Sequence, residues 1–86
     1  MAPRRNRKEE AAPMPYRKVA AKMLAEWRAA DRLMARLEPG SAAWEYACLL
    51  AELAKAHYQV AIDAARAEHL PEPPPFEEAR RKLTDP

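Results

Sequence analysis

Between residues 15 and 70 apolar and polar positions alternate with the rhythm of α-helices, and prolines mark where that rhythm must stop. Pro3, Pro13 and Pro15 lie at or before its start, Pro71, Pro73, Pro74 and Pro75 follow it, and only Pro39 interrupts it. Inside a helix a proline removes a hydrogen bond and collides with the preceding turn, whereas in the first turn its missing N–H has no partner to lose. The pattern therefore predicts a helix over 15–37, a turn at 38–41 and a second helix over 42–69. In the turn, Pro39 ends the first helix, Gly40 supplies a left-handed backbone and Ser41 is a good N-cap for the second. Leu70 precedes Pro71 and is steered out of helical geometry.

The first helix carries Tyr16, Ala20, Met23, Trp27, Ala30, Met34 and Leu37 at alternating steps of four and three. The second repeats the rhythm with Ala43, Tyr46, Leu50, Leu53, His57, Val60, Ala64 and Ala67. Such spacing keeps one stripe against one partner helix. Folding the chain back through the turn matches Leu37 with Ala43, Met34 with Tyr46, Ala30 with Leu50, Trp27 with Leu53, Met23 with His57, Ala20 with Val60 and Tyr16 with Ala64. Most rungs set a large side chain against a small one, which holds layer volume constant. The expected fold is all-α: an antiparallel, coiled-coil-like two-helix hairpin over 15–70, with a basic flexible arm over 1–14 and a Pro-rich strap and short helix within 71–86. That last helix, about 76–83, has Glu77 and Glu78 at its start and Arg80, Arg81 and Lys82 at its end, with i,i+4 pairs Glu77–Arg81 and Glu78–Lys82. So short a helix needs docking, through Phe76 and Leu83, to persist.

The second helix is apolar over more surface than one partner covers. A further stripe runs through Trp44, Cys48, Ala51, Lys55, Tyr58, Ile62 and Ala65, and polar positions are confined mainly to Glu45, Glu52, Gln59, Arg66 and Asp63. A helix apolar on two sides is normally buried on two sides. Trp44, Cys48, Ala51, Tyr58, Ile62 and Ala65 are therefore the candidate interface, completing a four-helix bundle by homodimerisation or by docking on another protein. Lys55 sits in the stripe and opposes pairing of that stripe with its own copy.

Composition narrows the chemistry. Of 86 residues 20 are Ala, while Gly, Ser, Thr, Asn and Gln occur once each, which favours helix and excludes glycine-rich phosphate loops and serine-hydrolase chemistry. The single Cys48 has no intramolecular disulfide partner, and no Cys/His pair has zinc-ligand spacing. A Glu-x-x-His iron motif fails because Ala54 and Arg66 stand three residues before His57 and His69. His57 is expected as a partly buried seam residue and His69 as a favourable charge at a helix C-terminus. No catalytic, cofactor-binding or metal-binding residues are assigned, and no small-molecule substrate is expected.

Charge is segregated: residues 1–18 hold six Lys/Arg against two Glu, and the remainder of the chain is slightly acidic. Arg4, Arg5, Arg7 and Lys8 are thus candidate contacts to phosphate groups of a nucleic acid, although Glu9 and Glu10 follow at once and no aromatic is interleaved to stack on bases. No apolar stretch follows these cations, so no secretion signal is expected. The longest apolar run, Ala47–Ala51, falls far short of the ~20 residues that span a bilayer. A cytoplasmic protein without membrane association is expected. Pro71-x-x-Pro74 has the spacing of proline-rich ligands but lacks a flanking cation, which favours a strap.

In outline the chain resembles the WXG-type hairpin proteins, and two patterns set it apart. Gly40 precedes Trp44 instead of following a Trp in the turn, and Tyr58 is followed four residues later by Ile62 instead of an acid. The expectation is a small non-enzymatic helical interaction or adaptor protein acting through the second apolar face of its second helix. The alternative is a nucleic-acid-associated accessory protein using the basic arm.

Overall fold

In the computed structural model, which describes residues 15–84, three helices follow one another: α1 (Pro15–Arg36), α2 (Ala42–Ala67) and α3 (Phe76–Thr84). The basic arm, with Arg4, Arg5, Arg7 and Lys8, lies outside the described residues. Among the described residues there is no strand, and α1 and α2 pack along each other as a helical hairpin. Helix ends fall within two residues of the positions expected from proline placement.

The turn works as its residues dictate. The Ser41 N–H donates to the Glu38 carbonyl at 3.0 Å, and Gly40 takes φ +87°, where a side chain would be strained. Ser41 is extended at φ −72°, ψ 161°, and its Oγ accepts from the Trp44 N–H at 3.1 Å, satisfying one of the unpaired donors at the start of α2. At the other end of α2, Leu70 N–H reaches the Ala65 carbonyl at 2.9 Å and His69 N–H reaches Arg66 at 3.2 Å. This two-bond helix stop is usually built on glycine. Here His69 holds the left-handed position at φ 57°, at a cost of about 1 kcal/mol, so its role is to reverse the chain toward the prolines and not merely to bear a terminal charge.

Along α1 the expected seam is observed: Ala20 and Ala30 are buried, and Tyr16, Met23, Trp27, Met34 and Leu37 are half-buried. Along α2 it is displaced by one residue, a rotation of about 100°. Ala47, Ala51, Ala54, Tyr58, Ala61, Ile62 and Ala65 point inward, while the expected stripe turns to solvent, with Tyr46 62%, Leu53 54% and Val60 60% exposed. Two physical causes agree with this rotation. Alanine along the contact line lets two helices approach closely. The same rotation also carries Tyr58 and Ile62 under the C-terminal segment, where a third element seals them.

That element is the strap over 71–75 and the helix behind it. Arg17 Nε donates to the Glu72 carbonyl at 3.2 Å, Arg66 forks onto the Glu72 carboxylate at 3.1 and 3.2 Å, and the Tyr58 hydroxyl donates to the Pro74 carbonyl at 2.6 Å. Both long helices thus hold the strap. Phe76, 7% exposed, then sits edge-on to Trp27 and to Tyr58, with ring centroids 5.4 Å from each. Ala79 is buried beside it and Leu83 half-buried, so α3 docks chiefly through Phe76 and Ala79. On its outer side Glu78 pairs with Lys82 at 3.5 Å as spaced, whereas Glu77 takes Arg80 at 2.7 Å. These exposed pairs contribute little to stability.

Candidate interaction surface

The hairpin has one covered and one uncovered face, and they lie opposite to where size and spacing alone put them. Tyr58 is 2% and Ile62 5% exposed, and Ala51 and Ala65 are buried with them, all within this one chain. Trp44 and Cys48 are half-buried at the same side. Four of the six positions that the sequence offers to an external partner are therefore buried within the chain, Tyr58 and Ile62 beside Phe76, while Trp44 and Cys48 keep partial exposure. The one polar member of that stripe is accommodated too: Lys55 Nζ lies 5.5 Å from the centroid of the Phe76 ring, a cation–π contact.

The uncovered face carries the large aliphatic side chains. Tyr46, Leu49, Leu50, Leu53 and Val60 of α2 and Val19 and Leu33 of α1 are exposed, Leu49 most of all at 68%. Leu49 belongs to neither stripe read from the sequence. Between the helices this face is hollowed into two adjoining grooves. One of about 360 Å³ lies among Glu26, Ala30, Leu33, Leu50 and Leu53, and one of about 260 Å³ among Tyr16, Val19, Met23, Val60 and Ala64. His57 lines both grooves and is exposed, a correction to its expected place inside the seam that follows from the rotation of α2.

Opposite charges border the face. On the outer edge of α2 stand Glu45, Glu52 and Asp63, all exposed, with the Gln59 amide donating to Asp63 at 3.1 Å. On the outer edge of α1 stand Lys18, Lys22 and Arg36, also exposed. At 100° per residue each trio falls on one side of its helix, next to the apolar positions.

The shifted ionisations belong to the covered side and the hairpin's open end. Burial, reinforced by the nearby Glu78 carboxylate, raises the Tyr58 phenol above its ordinary value. Tyr16 is raised through its hydrogen bond to the Glu68 carboxylate, Arg66 through its bond to Glu72, and Glu77 is lowered by Arg80. These contacts favour neutral tyrosines and intact ion pairs. Among the described residues no group of three or more His, Cys, Asp or Glu is placed to hold a metal ion, and no helix is long and apolar enough to cross a membrane. Comparison with protein-family models, with curated proteins and with solved structures found no match.

Residue size explains why spacing pointed to the wrong face. Both stripes of α2 have four-three spacing, one residue apart, and the one bearing leucines looks more hydrophobic than the one bearing alanines. The signal that separates them lies outside α2. Phe76, embedded between prolines and charges, is met by Trp27 of α1 and by Tyr58 of α2.

Proposed function

We propose that the chain is a non-enzymatic helical interaction protein whose docking surface is the leucine-bearing face of α2 together with the grooves beside it. The observation that carries this reading is the inversion of size: alanines fill the seam while Tyr46, Leu49, Leu53 and Val60 stand more than half exposed. Covering a fully exposed leucine, valine or tyrosine is worth about 1.5–3 kcal/mol, so this half-exposed set offers several kcal/mol to whatever covers it. Contiguous exposed apolar surface rimmed by charge is the usual mark of a contact site. The grooves give an incoming helix places to seat side chains, and the charged edges orient it.

The test is the double substitution Leu49→Glu/Leu53→Glu. Both positions are exposed, so helix content measured by circular dichroism stays within a few per cent of wild type, whereas association is lost. The readout is light scattering if the wild type self-associates, or uptake of the apolar dye anilinonaphthalene sulfonate if it does not. A wild type that neither associates nor takes up dye contradicts the reading. The alternative, nucleic-acid contact through Arg4, Arg5, Arg7 and Lys8, draws on the basic excess of residues 1–18. Salt-sensitive binding to generic duplex that is lost on removing residues 1–10 would favour it.

A further inference from the structure

The geometry points to a second copy of this chain as the occupant of the uncovered face, turned by 180° about an axis parallel to the helices. This inference rests on the docking-surface reading above and adds the partner and its orientation. Rotation about such an axis lays α1 of one copy over α2 of the other. Because α1 and α2 are antiparallel within each copy, every neighbouring pair in the resulting four-helix bundle is antiparallel as well.

Charge selects this axis. The acidic edge of each copy, Glu45, Glu52 and Asp63, comes against the basic edge of the other, Lys18, Lys22 and Arg36. Two of the three pairs also agree in height. In the hairpin residues 26–33 of α1 share one groove with 50–57 of α2, and 16–23 share the other with 57–64. On that antiparallel register Arg36 stands near the height of Glu45 and Lys18 near that of Asp63, while Glu52 and Lys22 are offset along the edge, and a rotation parallel to the helices preserves height. The competing two-fold, about an axis across the helices, lays α2 on α2 and sets three acids against three acids, an arrangement that like-charge repulsion penalises. Glu26, the acid within the groove, shares that groove with His57 and lies one turn from Lys22.

Area and closure fit the same answer. Helices of 22 and 26 residues at 1.5 Å rise, side by side at about 10 Å each, present a face of ~700 Å² per copy. Specific stable interfaces bury about 800 Å² per partner. Among the described residues the exposed large apolar side chains lie on the face that a second copy covers, and a two-fold contact of that face with itself closes at two. Lys55, which argues against self-pairing of the stripe read from the sequence, is engaged with Phe76 and takes no part.

The experiment uses the full chain. Light scattering at tens of micromolar is expected to give a dimer, and Leu49→Glu/Leu53→Glu a monomer of unchanged helix content. In a Cys48→Ala background, chains carrying Arg36→Cys mixed with chains carrying Glu45→Cys are expected to form the mixed disulfide in most of the protein within the time that Glu45→Cys and Asp63→Cys chains form little. Preferential Glu45→Cys to Asp63→Cys linkage would overturn the orientation, since that is the pairing of the crosswise axis. A monomeric wild type that takes up apolar dye, with uptake lost in the double glutamate variant, would overturn the second copy as occupant while leaving the docking surface standing. A monomer without dye uptake would remove both.

Discussion

On one face of α2 a tyrosine and an isoleucine are sealed under five residues of extended chain and a phenylalanine; on the other, three leucines, a valine and a tyrosine stand in water. Both faces are apolar and both have helical spacing. What separates them is the covering segment, and the covered face is the one that satisfies a polar atom as well as apolar surface. Tyr58 places its ring against Phe76 and its hydroxyl on the Pro74 carbonyl. A leucine in its place would leave that carbonyl without this donor. The uncovered face of α2 is mainly aliphatic, with Tyr46 and His57 as its polar members, and is suited to another aliphatic surface.

The difference breaks most sharply at Phe76. Phe76→Ala removes the ring that touches Trp27, Tyr58 and Lys55, and burial of this kind is worth about 3–5 kcal/mol. A nine-residue helix does not hold alone, so α3 is expected to undock. The expected record is a red-shifted Trp27 emission and loss of helical signal equivalent to α3, with the α1–α2 hairpin retained or the whole chain unfolded in less urea. Unchanged emission would show that the strap does not depend on its anchor.

A smaller effect is expected at Tyr58. Tyr58→Phe keeps the ring and deletes one hydrogen bond, a loss of about 1 kcal/mol at neutral pH. The wild type also carries an alkaline signature. Because the folded Tyr58 phenol is raised above its ordinary value of 10.0, its contribution is fully present below that pH and is lost as pH rises through the folded value. Stability followed by circular dichroism should therefore fall on the alkaline side, and fall less in Tyr58→Phe. Tyr16, raised by its bond to Glu68, adds to the same trend. An identical slope in the wild type and the variant would remove Tyr58 from the account of the covered face.

Much of this architecture is legible in sequence, and the part that is not has an identifiable cause. Proline placement delimits the helices because the constraint is local: Pro15, Pro39 and Pro71 act through their own ring and missing N–H. The Ser41 cap and the Gly40 turn are legible for the same reason. The phase of α2 depends on a contact between residues 27, 58 and 76, which are far apart in sequence, and hydrophobicity summed along one helix contains no trace of it. Size then misleads, because alanine seams owe their stability to close backbone approach instead of to area per side chain. His69 shows the same limit on a smaller scale, since nothing in its identity announces a left-handed backbone where glycine is usual. The candidate surface was legible as a kind of surface, an apolar face of α2 beyond what α1 covers, but not as the set of residues that forms it.

The rotation of α2 is the central claim, and two adjacent residues test it directly. Ala54 is 4% exposed and Leu53 54%. With alanines in the seam, Ala54→Leu forces methylenes into a close helix contact and is expected to lower the urea midpoint by the equivalent of about 1–3 kcal/mol. Leu53→Ala, measured at a dilution where the chain is monomeric, is expected to stay within about 0.5 kcal/mol of wild type. If the leucine stripe formed the seam instead, the order would reverse: Ala54→Leu would leave the midpoint unchanged or raise it, and Leu53→Ala would cost the several kcal/mol of a core truncation.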